Sequence, residues 1–147
     1  MNGMLFSLAF AALYAAHMLA DHWIQTQHQA VTKARPGRAG RVSCATHVTT
    51  YTLTAALVLA AVAWRTGAPL NPGRCALALL VSAASHYFAD RRTGLERLAR
   101  AVGKQGLFDL GAPRPGRDDN PSLGTGAYAL DQSFHIAFLF VSALIIA

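Results

Sequence analysis

Twice the chain sets a histidine four residues ahead of an aspartate at the close of an apolar run: His17 and Asp21 in HMLAD, His86 and Asp90 in HYFAD. The last apolar run opens with the order mirrored, Asp131 and His135 in LDQSFH. Residues four apart share a helix face, so each pair projects in one direction. His47 begins a further apolar segment, with Tyr51 one turn along on the same face. Imidazole nitrogen and carboxylate oxygen are ordinary ligands of Zn, Mn and Fe. Together His17, Asp21, His47, His86, Asp90, Asp131 and His135 would fill the inner shells of one or two divalent transition metals. Two ions about 3.5–4 Å apart, bridged by a carboxylate, form a hydrolytic centre that activates water and stabilises charge on a phosphoryl or acyl oxygen. In that chemistry Asp21, Asp90 and Asp131 are the catalytic carboxylates. Lys33, Arg91 and Arg92 would hold a phosphate, and Gln25 and Gln132 would orient water or ligands, with Tyr51 beside them.

Each fragment has a plainer reading. A single His-x-x-x-Asp is commonly a hydrogen-bonded pair that satisfies itself or a neighbouring helix, and a single tyrosine is commonly packing. Recurrence on four segments is what favours a shared site. Aspartate at the centre of a spanning helix costs about 2.5–3.5 kcal/mol, and three of them need compensation.

The segments that must position these groups are apolar and long. The chain has 147 residues, 53% of them hydrophobic and 14% charged, against about 25% charged in a soluble domain. Four apolar stretches, about 4–24, 44–64, 74–91 and 126–147, predict an all-α membrane bundle of four transmembrane helices forming a single domain over 1–147. A span needs about 20 apolar residues, and the third stretch is the shortest. No basic stretch precedes the first segment and three more follow it, so it reads as a span and not a cleaved signal.

The net charge of +6 does not predict nucleic-acid binding, because the basic residues crowd into two connectors. The first holds Lys33, Arg35, Arg38 and Arg41. The third holds Arg91, Arg92, Arg97, Arg100, Lys104, Arg114 and Arg117. Basic loops stay cytoplasmic, which predicts a multi-pass bacterial inner-membrane protein with both termini outside and membrane lipid as its neighbour. That topology places all seven ligand candidates at the cytosolic ends of their helices. It also separates Cys44 from Cys75 by the bilayer, so no disulfide is expected.

The first connector reads as a loop after a frayed helix end. Leu95, Leu98, Ala99 and Val102 recur at helical spacing among arginines, predicting a short amphipathic interfacial helix over about 94–104 before helix four. The Pro- and Gly-rich stretch 109–126 reads as an irregular loop, either a lid or a plain tether. A faint internal repeat joins helices one and three, each ending in His-x-x-x-Asp and followed by a basic connector and a helix with His near its start.

These residues also resemble a family. His-x-x-x-Asp-x-x-x-Gln, a later Lys, a His opening the next helix, then His-x-x-x-Asp and Asp-Gln-x-x-His is similar to the small bacterial membrane proteins grouped as domain of unknown function thirty-three-oh-seven. The positions carrying the resemblance are His17, Asp21, Gln25, Lys33, His47, His86, Asp90, Asp131, Gln132 and His135. Where the resemblance implies an aromatic or aliphatic residue after the first Asp, this chain has His22. A looser similarity is to inner-membrane metal-dependent hydrolases.

Three functions follow as expectations. The first is a metal-dependent hydrolase acting on a lipid or lipid-linked phosphoester at the cytosolic leaflet. The second is a proton or metal-ion relay, which in so short a chain would require a homo-oligomer. The third is a non-catalytic membrane interaction protein whose polar residues fix helix register. Interhelical hydrogen bonds average only about 0.6 kcal/mol, a small return for three buried acids.

Overall fold

The computed structural model describes residues 2–112 and 124–147, and these are all-α, without a strand among them. Four long helices form the frame: α1 (Gly3–Leu19), α3 (Gly37–Thr66), α4 (Pro72–Asp90) and α7 (Gly126–Ile146). Three short ones, α2 (Gln27–Thr32), α5 (Thr93–Ala101) and α6 (Gln105–Phe108), lie in the connectors. Side-chain oxygens start four of these helices by accepting orphan backbone N–H groups. Asn2 caps α1, Asn71 caps α4 with Pro72 in its first turn, and Thr125 caps α7. Thr26 and Gln29 form a reciprocal capping box on α2.

α1 packs on α3 and α7, and α4 packs on the same two. The frame is therefore a four-sided ring of antiparallel neighbours. Its apolar interior consists of Ala9, Ala12, Leu13 and Ala16 from α1, Ala55 and Leu59 from α3, Ala78 from α4, and Leu139, Ala143 and Ile146 from α7. The alanines let helix backbones approach closely, as in membrane bundles. The outside is apolar as well: Leu57 is 70% exposed, Leu80 68% and Trp64 87%.

Three helical stretches, Gly3–Ile24, Gly37–Thr66 and Gly126–Ile146, are long and apolar enough to cross a membrane. The sequence predicted four. α4 has the expected bounds, but Ser82, Ser85, His86 and Asp90, all buried, dilute its apolar character.

Two connectors differ from expectation. The first is not a plain loop: it contains α2, and α3 begins at Gly37, well ahead of residue 44. Exposed Arg38 and Arg41 sit on this added helix and disguise its continuity. Gly40 is required there, because a Cβ would run into the Arg35 carbonyl and lie 2.9 Å from the Arg91 guanidinium. The amphipathic helix covers Thr93–Ala101 and stops before Gly103, whose φ of 73° suits glycine. Its apolar stripe divides: Leu95 and Ala99 are buried in the protein, whereas Leu98 and Val102 are exposed. Of the Pro- and Gly-rich stretch, residues 113–123, with Arg114 and Arg117, lie outside the described residues. Cys44 and Cys75 are both free thiols, as expected.

Candidate functional site

One end of the ring is polar. α1 delivers His17, fully buried, and the chain then widens into a π-helical turn over Ala20–Ile24. The Gln25 N–H reaches back five residues to the Ala20 carbonyl at 2.8 Å. Such turns are rare and recur at functional sites because they re-aim a side chain. Here the turn carries Asp21, whose two oxygens face different partners. Oδ2 lies 3.5 Å from His17 Nδ1, while Oδ1 lies 3.4 Å from His47 Nε2 and 3.5 Å from His86 Nε2.

Asp90, at the end of α4, is used in the same divided way. Its Oδ1 lies 2.7 Å from the Lys33 ammonium. Its Oδ2 lies 3.3 Å from the Nε2 atoms of both His47 and His86. Those two nitrogens are 3.1 Å apart. Asp21 Oδ1 and Asp90 Oδ2 therefore each lie within 3.5 Å of both His47 Nε2 and His86 Nε2. With the contact between the two nitrogens, five separations among these four atoms fall between 3.1 and 3.5 Å. Both carboxylate oxygens are buried without a well-directed hydrogen bond among the described residues.

α7 adds His135, 3% exposed, with neither ring nitrogen hydrogen-bonded among the described residues. Ligand atoms of His17, Asp21 and His135 lie within 4.8 Å of one another, and so do those of His86, Asp90 and His135. Of the seven residues the sequence put forward as ligands, six fall into these groups. The seventh, Asp131, stands one step out. Its Oδ2 lies 3.5 Å from His135 Nδ1 and accepts a hydrogen bond from Gln132 Nε2 at 3.2 Å. Gln132 Oε1 in turn faces His17 Nε2 at 3.4 Å. Asp131 also lines a cavity of about 500 Å³, together with Arg92, Glu96, Asp109, Phe108 and Tyr128.

The supporting residues have particular tasks. Tyr51 stacks its ring on His86, with centroids 3.9 Å apart, and shares a 2.8 Å hydrogen bond with Ser82. Lys33 is the counter-charge of Asp90. Arg91 does not meet Lys33 at a common anion site: its guanidinium donates to the backbone carbonyls of Lys33 and Arg35, the second at 2.9 Å. It thereby clamps the first connector so that the Lys33 side chain enters the cluster. Arg92 reaches the cavity from a backbone φ of 56°, the left-handed region that non-glycine residues seldom adopt. Gln25 follows the π turn, and its buried Nε2 has no hydrogen-bond partner among the described residues. His22 and His28 are exposed, and the Nδ1 of His22 bonds to the Met18 carbonyl. Sequence reasoning missed Ser82, although it lies four residues before His86 on the same helix face. It also missed the clamping role of Arg91, which depends on a contact 58 residues away along the chain.

Fold and site together define a helical chain with three membrane-length helices and a buried histidine–aspartate cluster at one end of its helix ring. The chain belongs to the family described as protein of unknown function, DUF3307, whose profile matches residues 9–147. No curated protein and no solved structure matches it, so the looser similarity to metal-dependent hydrolases is not borne out.

Proposed function

We propose that the cluster is a divalent transition-metal centre, of Zn, Mn or Fe, in a membrane-embedded hydrolase. Its substrate would be a lipid or lipid-linked phosphoester, met at the cytosolic leaflet of a bacterial inner membrane. The observation that carries this reading is the set of separations among Asp21 Oδ1, Asp90 Oδ2, His47 Nε2 and His86 Nε2. Metal–ligand bonds of about 2.0–2.2 Å in a tetrahedron place ligand atoms about 3.3–3.6 Å apart. The four nitrogen–oxygen separations, 3.3–3.5 Å, fall in that range, and the two nitrogens lie slightly closer, at 3.1 Å. Without a cation, two carboxylate oxygens and two imidazole nitrogens would share a buried space with few protons between them, and such groups are costly when unpaired.

The hydrolase reading follows from the divided use of Asp21 and from the cavity beside Asp131. A metal in such a site supplies a nucleophilic water at neutral pH and polarises the phosphoryl oxygen. In the reaction the water oxygen bonds to phosphorus, the ester P–O bond breaks, and the alcohol leaves with a proton. Arg92, which lines that cavity, would be the cation that meets the phosphoryl group. The cytosolic placement rests on charge. Lys33, Arg35, Arg38 and Arg41 lie in the connector at the cluster end of the ring, as do Arg91, Arg92, Arg97, Arg100 and Lys104, and basic loops stay inside. α4 would be a fourth span whose polar inner face is covered by its neighbours, which puts both termini outside. A relay through one chain is disfavoured, because the rest of the ring interior is filled by Leu13, Leu59, Leu139, Ile146 and close-packed alanines.

Protein purified in detergent should carry at least one divalent transition-metal ion per chain by elemental analysis. His47→Ala and His86→Ala should lose it, and His22→Ala should retain it. Metal-free wild-type protein, together with an unaltered thermal midpoint for His86→Ala, would remove the reading.

A further inference from the structure

We infer that a second divalent ion binds between His17, Asp21 and His135, and that this ion, not the one between His47 and His86, is the one open to substrate. The inference rests on the metal-centre reading and concerns different atoms.

It begins from the hydrogen bonds of α7. Gln132 turns its amide nitrogen toward Asp131 Oδ2, at 3.2 Å. Gln132 then presents its carbonyl oxygen to His17 Nε2, 3.4 Å away. That nitrogen must carry the proton of the neutral ring, which leaves His17 Nδ1 bare. The bare nitrogen faces Asp21 Oδ2 at 3.5 Å and has no hydrogen bond among the described residues. Two lone pairs aimed at each other in a buried space call for a cation between them. His135 adds two more buried ring nitrogens without a hydrogen bond among the described residues, its Nδ1 facing Asp131 Oδ2 at 3.5 Å. A histidine ligand whose other nitrogen donates to a carboxylate or amide oxygen is the usual supporting arrangement in metal sites. The adjacent pair Asp131–Gln132 thus orients both histidines of one site.

The two sites share Asp21, one oxygen each. They differ in access. Asp21, His47 and His86 form one group and His17, Asp21 and His135 the other, and three protein ligands leave a position for water or substrate. Of these two groups, the second contains His135, whose Nδ1 faces Asp131 at 3.5 Å, and Asp131 lines the cavity. Asp131 is therefore a positioning residue for His135, and the oxyanion of a substrate entering past Arg92 and Tyr128 would take the open position.

The test is Co²⁺ titration of chelator-stripped protein in detergent, followed by visible absorption, with azide added as a small anionic ligand. Wild-type protein should bind two equivalents, and azide should shift the bands only after the second is bound. His135→Ala should bind one equivalent with no azide response. Gln132→Leu keeps every ligand, so it should bind the first equivalent normally and the second about 10–100-fold more weakly. The inference is overturned if wild-type protein saturates at one equivalent, or if an azide response survives in His135→Ala. It is overturned equally if Gln132→Leu binds both equivalents as wild type does. Failure to bind any cobalt would instead overturn the metal-centre reading itself.

Discussion

The two halves of the helix ring are built on the same four helices and obey different rules. The far half is filled by Leu13, Leu59, Leu139, Ile146 and alanines, and the polar atoms near it are paired: Ser142 Oγ donates to the Ala78 carbonyl at 3.1 Å. The near half holds His17, His47, His86, Asp90 and His135, each nearly or fully buried. There the protein leaves His17 Nδ1, Asp21 Oδ1, Asp90 Oδ2 and both His135 nitrogens without partners among the described residues. A buried group left unsatisfied costs about 1–3 kcal/mol, and native proteins rarely tolerate several together. Polar residues meant only to fix helix register would satisfy one another, as Ser142 is satisfied in the far half. On the metal-centre reading, a cation would satisfy these atoms.

The largest effect expected from this contrast is at Lys33. Its ammonium sits 2.7 Å from Asp90, whose side chain is 2% exposed. Removing one member of a buried ion pair costs about 3–5 kcal/mol, because the partner charge remains. Lys33→Met should therefore lower the stability of chelator-treated protein by about that amount in denaturant titrations. With metal restored the loss should shrink, since the ion supplies charge to Asp90 that Lys33 no longer does. An equal loss with and without chelator would mean that no cation joins Asp90 in the near half.

The far half supplies the complementary experiment. Leu139 is 1% exposed and packs in the ring interior. Leu139→Ala should cost about 2–5 kcal/mol through the cavity it leaves, in holo and stripped protein alike. If chelation changed that cost, the two halves would not be independent, and additivity between distant sites would fail.

This division was partly legible in the sequence. The four long helices follow from apolar run length, and the gathering of His17, Asp21, His47, His86, Asp90 and His135 at one end follows from i, i+4 spacing together with the crowding of basic residues into two connectors. The early start of α3 was hidden because Arg38 and Arg41 make a helix extension look like a loop, while the feature that locks it, Gly40 against Arg35 and Arg91, is a tertiary contact. The π turn at Ala20–Ile24 leaves no compositional mark, and it decides where the Asp21 oxygens point. Asp131 was read as a ligand from the mirrored Asp131–His135 spacing. Spacing gives the shared face but not the order of contact outward from the centre, and that order places Asp131 behind His135. Arg91 was read as a phosphate ligand from its charge, whereas two backbone carbonyls take up its donors.

The smallest of the expected effects lies at the seam between the halves. Tyr51 has two contacts of different kinds: its ring stacks on His86 at 3.9 Å, and its hydroxyl meets Ser82 at 2.8 Å. Tyr51→Phe removes the second and keeps the first. A buried neutral hydrogen bond contributes about 0.5–1.5 kcal/mol, and the freed Ser82 hydroxyl can turn to a carbonyl of the preceding turn, so a loss of about 1 kcal/mol is expected. That loss should be the same in stripped and metal-loaded protein, because the ring that holds His86 in place is unchanged. Metal affinity should stay within a factor of two of wild type in a chelator competition. A tenfold weakening would show that the Tyr51–Ser82 bond fixes the ligand geometry, and the boundary between the packed half and the polar half would then lie one helical turn deeper in the ring.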